Sequence, residues 1–503
     1  MEKVALLELS NSSLRMTVYK VAEGESFMPI KQLSEEIGMD EHIEGAQLIK
    51  SPKFRECQSI IGRYKTIAES MGVSRYLPFA SQTITQAKNY QSFVDELGRT
   101  VGLSFKIMTD EEENSALYTA TTCTLDVSKG IIVNISSNST RILHYNRRVV
   151  LDNVSLPLGS CTKSITSDGA VEHFKKELEK KAPFLKTLDP ESVMVGMGET
   201  LASYGKLARK LTKYPVDIEH NFVSDKKTFD QVFDFLKGLA PEKRAKLKGI
   251  SDMSTDSILF GMCIAKAILE LSNIDQITIS KGYRNVGLIF QSVIPTTVDR
   301  PLSDLLVHSL DTILVNAGLQ KREAARQYEL ALILFKQLKA LHRLPRVYAK
   351  ILKAATYMSG LSRVLGTTNP EKGSYALITN LPIYGLTHRE QVMASFVASC
   401  RRWEDFNTAE WVKFNSIMTE GDLEAVKKLS NILTISNVLN LRNQDLVKDI
   451  SCDILGESVI IKLMADPDGK LKLDHDVCAI EVFYAQKLGP EFQKAFGKNL
   501  DVL

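Results

Sequence analysis

The chain has little of what marks a protein built on disulfides, metal clusters or a membrane. Its seven cysteines, Cys57, Cys123, Cys161, Cys263, Cys400, Cys452 and Cys478, are odd in number, scattered over 503 residues and form no Cys-x-x-Cys pair. That spacing excludes a disulfide framework and a cysteine zinc site, and it predicts a reduced, cytoplasmic protein. The eight histidines are equally dispersed. The dipeptide His475-Asp476 invites a metal reading but has no other histidine nearby, so it reads as surface. The longest apolar run, "SILFGMCIAKAILEL", is broken by Lys266, so no segment reads as a bilayer span. The opening "MEKVALLELSNSS" reaches polar residues too soon for a signal peptide. A net charge of +3 argues against a dedicated DNA or membrane surface. No segment is of low complexity.

The last shortage is local. The stretch "IIVNISSNSTRILHY", 131–145, reads as two strands around a turn that has no glycine. The chain opens on a close echo, "ALLELSNSSLRMTVY", 5–19. Each has apolar residues before the bend, small polar residues in it and an arginine after it, Arg15 in one and Arg141 in the other. A hairpin that cradles phosphate usually uses glycine, because its backbone N–H groups must turn inward and approach closely. Asparagine can adopt the left-handed conformation in glycine's place, here Asn11 or Asn138, and serine hydroxyls can donate. One such turn is more often a plain link between strands. Two in matching places point to a duplicated fold with a cleft, and to one ligand held from both sides.

What is present fits that plan. With 44% hydrophobic and 24% charged residues, the composition is that of an ordinary globular protein, and 503 residues exceed one core. The first 125 or so residues alternate strands and helices: a hairpin at 4–20, a helix at 51–72, a strand "RYLPFAS", a helix "NYQSFVDELGRTVG", a strand "LSFKIM" and a helix from Asp110. Residues 130–290 repeat the logic, with strands at 131–135, 140–145, 149–154, 192–195 and 276–280. The alternation predicts an α/β architecture. "SVIPTTVDRPLSD", 292–304, reads as a boundary, and residues 302–442 carry helical periodicity. From about 445 a small α/β or β-rich tail follows, with the "PDG" of "DPDGK" as its expected hairpin turn.

Further candidates carry bland alternatives. In "MTDEEENSALY", Thr109 and Glu112 form a capping box, which accounts for Asp110, Glu111 and Glu112 and leaves Glu113 as the candidate general base. Gly196 and Gly198 of "VGMGET" stand before a helix, where phosphate can bind, although a strand-to-helix turn explains them too. The basic runs 175–183 and 241–249 read as solvated faces before they read as polyanion contacts.

Together these motifs resemble the exopolyphosphatase/guanosine pentaphosphate phosphatase (Ppx/GppA) family over almost the whole chain. The family's first hairpin, D-x-G-S-N-S-x-R, is similar to "ELSNSSLR", with Glu8 for the acid, Ser10 for the glycine and Arg15 kept. Its S-G-x-E-E-A aligns with "TDEEEN" and puts Glu113 on the catalytic glutamate. Its second hairpin, D-I-G-G-G-S-T-E, corresponds to "NISSNSTR", with Asn134 for the acid and Arg141 for the last glutamate. Thr85 of "ASQTITQAKN" stands at a phosphate-holding arginine, "SLPLGS" keeps S-x-P-L-G, and "SKGYRNVG" resembles S-D-x-G-L-R-E-G. In the helical region Met358, Ser359, the "EKGS" stretch at 371–374 and Cys400 stand at metal-ligand places.

The resemblance implies two actin-like (ASKHA, ribonuclease H-like) α/β lobes, 1–125 and 126–298, a helical HD-like domain, 299–443, and a small α/β C-terminal domain, 444–503. It implies an Mg²⁺-dependent hydrolysis of terminal phosphate from polyphosphate or pppGpp. With Asn134 neutral and Arg141 cationic, the second hairpin would repel Mg²⁺ and not hold it, so the expected protein is catalytically degenerate and has no metal site. It would bind polyphosphate or a nucleotide polyphosphate, or regulate a catalytic paralogue, as a homodimer or paired with that paralogue. The expected phosphate-binding residues are Ser10, Asn11, Ser12, Arg15, Ser136, Ser137, Asn138, Ser139, Arg141, Gly196 and Gly198. Arg15 and Arg141 would grip an anion from the two lobes, unless Arg141 points to solvent beside Arg147 and Arg148. The alternative is an active phosphohydrolase using Glu8 and Glu113, with Mg²⁺. A sugar kinase of the same superfamily is weaker, because the missing acids harm it equally.

Overall fold

The computed structural model describes the chain except residues 23–25, 40–47, 148, 162–166, 245, 248–254, 295–301, 303, 365 and 465–476. It divides into two compact units, Met1–Tyr214 with Ile218–Leu305, and Pro215–Asp217 with Leu306–Leu503.

The first unit holds two sheets of one plan. In the first sheet β1 (Glu2–Leu9) turns back into β2 (Ser13–Val21), and β3 (Phe27–Glu36) extends the antiparallel side. On its other edge β1 pairs in parallel with β4 (Arg75–Ala80), which pairs with β5 (Lys106–Ile107). The second sheet repeats this as β8–β7–β6–β9–β11, built from β6 (Lys129–Ile135), β7 (Thr140–Asn146), β8 (Val149–Leu156), β9 (Val193–Met197) and β11 (Gln276–Ile279). β10 (Phe222–Asp225) adds an antiparallel edge strand.

The hairpins fall where alternation and turn chemistry put them, and their strands are almost wholly buried. The sequence reading passes over β3 and β10. β3 contains Pro29 and charged residues, and as an edge strand it tolerates both, because one row of its N–H groups has no ladder partner to lose.

Helices cover the sheets. α1 (Ser51–Ser70) and α2 (Tyr90–Val101) serve the first sheet, with Ile60, Ile61, Phe93 and Leu97 packed against Leu7, Leu14 and Met16. α4 (Ser167–Lys181), α5 (Gly198–Leu211), α6 (Lys226–Lys237) and α7 (Thr255–Ser272) serve the second.

Two helices lie between the lobes, α3 (Asp110–Thr122) and α8 (Arg284–Val293). Ala116 of α3 belongs to a core with Val4 and Leu6 of the first sheet, while Leu117 and Ala120 belong to a core with Ile132 and Leu143 of the second. The two helices touch at backbone distance. A Cβ on Gly287 would lie 1.8 Å from the Ala116 carbonyl oxygen, so nothing larger than glycine fits there. This contact sets Arg284, the first residue of α8, beside Glu113 in the first turn of α3.

The second unit is mainly helical: α9 (Leu305–Asn316), α10 (Lys321–Gln337), α11 (Tyr348–Met358), α12 (Pro370–Asn380), α13 (His388–Ser399) and α14 (Asp422–Leu439). Its polar centre is an ion pair. Asp422 is fully buried and accepts from Arg389 Nε at 2.8 Å and from the Thr419 N–H at 2.7 Å. A three-stranded sheet, β12 (Asp449–Leu455), β13 (Ser458–Met464) and β14 (Asn499–Val502), closes the chain with α15 (Ala479–Gln486) and α16 (Gly489–Phe496). The β12–β13 hairpin turns at Gly456. The "PDG" sequence and the His475-Asp476 dipeptide lie outside the described residues.

The α3–α8 contact makes a direct prediction. Gly287→Ala forces the two helices apart and lowers stability by about 1–3 kcal/mol, the usual scale of overpacking. Chemical denaturation followed by fluorescence measures it, as an earlier first transition than in the wild type.

Candidate functional site

Both turns fold by the same side-chain device. The Ser10 hydroxyl donates to the Ser13 carbonyl at 3.0 Å and accepts from the Ser13 N–H at 3.0 Å. The Ser136 hydroxyl makes the same two bonds with Ser139, at 3.0 and 3.2 Å. A serine in the first position therefore closes each bend without glycine. No residue of either turn has a positive φ, so the left-handed conformation expected of Asn11 or Asn138 is not used. Asn11 is instead buried, and its amide donates to Thr83 O at 2.9 Å and Gln86 Oε1 at 3.2 Å.

Each bend is also held from behind. Met39 N and Ile37 N donate to the carbonyls of Asn11 and Ser12 at 2.7 and 2.8 Å. Cys161 N and Ser160 N donate to those of Ser137 and Ser136 at 2.8 and 2.9 Å. Among the described residues, the backbone N–H groups of Asn11, Ser12, Ser137 and Asn138 have no protein acceptor. The carbonyls are occupied and the amides are available, which is the polarity an anion needs.

The two turns line one cleft of about 270 Å³, together with Glu8, Ser81, Thr83, Glu113, Asn134, Gly198, Glu199, Tyr283 and Arg284. Gly198 has φ +87°, and a Cβ there would lie 2.4 Å from the Ile135 carbonyl, so this glycine lets the start of α5 close onto the second hairpin. Gly196 is placed differently from the sequence expectation. It is buried within β9 under Leu201 and Ile279 and does not line the cleft.

The arginines also depart from expectation. Register puts Glu8 opposite Arg15, and Asn134 opposite Arg141. Arg141 neither faces the cleft freely nor points to solvent. Its side chain is 5% exposed and pairs with Glu113 Oε2 at 2.7 Å and Asp110 Oδ1 at 2.6 Å. Asp110 thus does more than favour the helix dipole. The capping box itself is present, with Glu112 N on Thr109 Oγ1 at 3.2 Å and Thr109 N on Glu112 Oε2 at 3.0 Å. Arg15 is exposed and pairs across the cleft with Glu199 at 2.9 Å. Exposed pairs of this kind contribute about 0–1 kcal/mol and exchange readily for another anion. Thr85 turns away from the lining and donates to Gln82 O at 2.8 Å.

Arg284 is not among the expected site residues, although it lies within the "SKGYRNVG" motif. It donates to Glu113 Oε1 at 2.8 Å and to Ser81 Oγ at 3.1 Å, and it pairs with Glu8. Burial works against its charge, but Glu8 and Glu113 outweigh that and hold it protonated. Burial likewise pushes the Glu8 carboxyl up, but the Arg284 and Arg15 charges prevail and hold it below its ordinary value. Burial pushes the Tyr283 hydroxyl up to about 12, so it lines the cleft as a neutral group.

Glu113 is 2% exposed and fully engaged. Oε1 accepts from Ser81 Oγ at 2.8 Å, Gln82 N at 2.9 Å and Arg284 at 2.8 Å, while Oε2 is paired with Arg141. A carboxylate offers about four lone-pair sites, two on each oxygen; three of the four donors crowd onto Oε1, and Arg141 takes Oε2. A general base must accept a proton, and here it would do so with a guanidinium on each oxygen.

The sequence profile of the Ppx/GppA phosphatase family matches residues 17–294. The chain belongs to that family. It is 22% identical over 427 residues to the guanosine-5'-triphosphate,3'-diphosphate pyrophosphatase of Aeromonas salmonicida, covering 81% of this chain and 82% of the relative. The Aeromonas hydrophila protein of the same name is 22% identical over 382 residues, 72% of each chain. Among solved structures, the Ppx/GppA family member of Aquifex aeolicus superposes with a TM-score of 0.51 at 24% identity, over 57% of this chain and 96% of that one. An exopolyphosphatase from Cytophaga hutchinsonii superposes with a TM-score of 0.53 at 11% identity, over 59% of this chain and all of that one. The two α/β lobes therefore have the actin-like fold of the family, and a helical region follows them.

The family implies Mg²⁺, and the residues here do not fit it. Mg²⁺ needs near-octahedral oxygen ligands, carboxylates first. Glu113 carries a guanidinium on each oxygen, Glu8 is paired with Arg284, and Asn134 is neutral. Among the described residues no group of three His, Cys, Asp or Glu can hold a metal. In the helical unit Met358 is buried, Ser359 Oγ bonds Thr356 O at 2.9 Å and Glu371 pairs with Arg401 at 2.7 Å. Burial raises the Cys400 thiol to about 12, far from a metal-binding thiolate. The basic run at 175–183 is partly neutralised on the protein itself, Lys175 by Glu270 at 3.1 Å and Lys180 by Glu177 at 3.6 Å.

The Glu8–Arg284 pair makes stability depend on pH. A carboxyl whose folded pKa lies below its unfolded value contributes stability above the unfolded value, about 4.3 for glutamate, and loses it as pH falls through the folded one. Thermal unfolding should thus show a loss on acidification below about pH 4.3 that is smaller in Glu8→Gln. Equal acid slopes for the two proteins would contradict the pairing.

Proposed function

We propose that this chain is a non-hydrolytic member of the Ppx/GppA family that binds the phosphate end of polyphosphate or of a nucleotide polyphosphate in its interlobe cleft. The observation that carries the proposal is the hold of four donors on Glu113, with a guanidinium on each carboxylate oxygen. An attacking water would have to compete with a guanidinium at either oxygen. The active alternative also needs Glu8, and its lowered pKa makes it a weak base even where an oxygen is free.

Binding is supported by what the cleft keeps. The available amides of both turns, the Ser12 and Ser137 side chains and the exchangeable Arg15 guanidinium all present donors toward one space. The names of the curated relatives, guanosine-5'-triphosphate,3'-diphosphate pyrophosphatases, support a guanosine polyphosphate beside the simple polymer. In such a role the protein would sequester the ligand or regulate a hydrolytic paralogue, as a homodimer or paired with that paralogue.

Calorimetric titration with linear polyphosphate and with pppGpp, in EDTA and at two salt concentrations, tests the reading. Binding without metal that weakens with salt is expected. Arg15→Ala should weaken it about tenfold, the scale of one charge-assisted contact. Absence of binding by the wild type, or equal binding by Arg15→Ala, would overturn the proposal.

A further inference from the structure

Three arginines line the cleft, and they are held differently. Arg141 pairs with Glu113, and Arg284 with Glu113 and Glu8, whose carboxylates are both buried. Neither guanidinium can leave without stranding a buried charge, which is strongly destabilising. Arg15 instead pairs with Glu199 at 2.9 Å, and both side chains reach solvent, at 41% and 51% exposed. Water can take up either charge, so this pair opens at little cost. The contact bridges the cleft: Arg15 belongs to β2 of the first sheet, and Glu199 to the first turn of α5 on the second. Tyr283 lines the same space. Burial raises its hydroxyl most, and the charges of Glu219, Arg15 and Glu199 reach it as well.

On the phosphate-binding reading of the cleft, we infer that Glu199 is an internal competitor for the ligand: it occupies the cleft guanidinium that an anion can take over, and so sets the affinity. A phosphate must displace this carboxylate before it gains Arg15, and its net gain is the difference between two charge-assisted contacts. A terminal phosphate carries about two charges and three acceptor oxygens. A carboxylate carries a single charge on two oxygens. The exchange therefore favours a phosphate end and holds off ligands whose only anion is a carboxylate. Specificity of this kind needs a repulsive element beside the attractive ones, and Glu199 supplies it.

Removing Glu199 ends two effects. Its direct repulsion of the ligand acts whether or not Arg15 is present, but its competition acts only through Arg15. Calorimetry with pyrophosphate in EDTA, at about 0.15 M ionic strength to screen the repulsion, compares the full-length wild type, Glu199→Gln, Arg15→Ala and the double variant. Glu199→Gln should bind about threefold to fivefold more tightly than the wild type, the scale of an exposed ion pair. In the Arg15→Ala background the same substitution should gain less than about twofold, the screened repulsion alone. Loss of measurable binding in both Arg15→Ala proteins has the same meaning. Both side chains are exposed, so thermal unfolding should be nearly the same in all four proteins. Equal gains in the two backgrounds, or no gain by Glu199→Gln, would overturn the inference and leave phosphate binding standing. Binding by Glu199→Gln but not by the wild type would uphold it. No binding by either would remove the phosphate reading and the inference together.

Discussion

The structure of the cleft depends on one chain of opposite charges, Arg141–Glu113–Arg284–Glu8, with Asp110 on its outer end. Its members come from four elements, β1, β7, α3 and α8. Carboxylates brought this close would repel one another, and buried charge without a partner costs several kcal/mol. Two guanidiniums between three carboxylates relieve most of that. The same contacts join the lobes about α3 and α8 and hold the carboxylates of the cleft.

The two hairpins keep their shape without glycine. Serine replaces backbone freedom with a hydroxyl that bonds its own turn, at Ser10 and again at Ser136. The turn carbonyls are held from behind by Met39 and Ile37 in one lobe and by Cys161 and Ser160 in the other.

Much of this was legible in the sequence. The duplicated hairpin announced the two lobes, because alternation and turn chemistry are local properties. The helix at Asp110, its capping box and Glu113 at its start were readable for the same reason. β3 was not, because Pro29 and its charges deny the usual strand pattern and only its edge position excuses them. The fate of Arg141 was not legible either. Its partners Gln82, Asp110, Asn114 and Ser155 are spread along the sequence, and only the fold brings them together. Gly196 was misplaced by a motif that took both glycines of "GMG" for one loop, where the strand in fact runs on through the first. Arg284 had a sequence signal in "SKGYRNVG", but its role needed the α3–α8 contact at Gly287.

The central claim is that Glu113 is held by its donors and does no proton chemistry. Orthophosphate release from long-chain polyphosphate and from pppGpp, with saturating Mg²⁺, tests it most directly when the wild type is compared with Glu113→Gln. The account predicts no release above background from either protein. Mg²⁺-dependent release by the wild type that disappears in Glu113→Gln would contradict it.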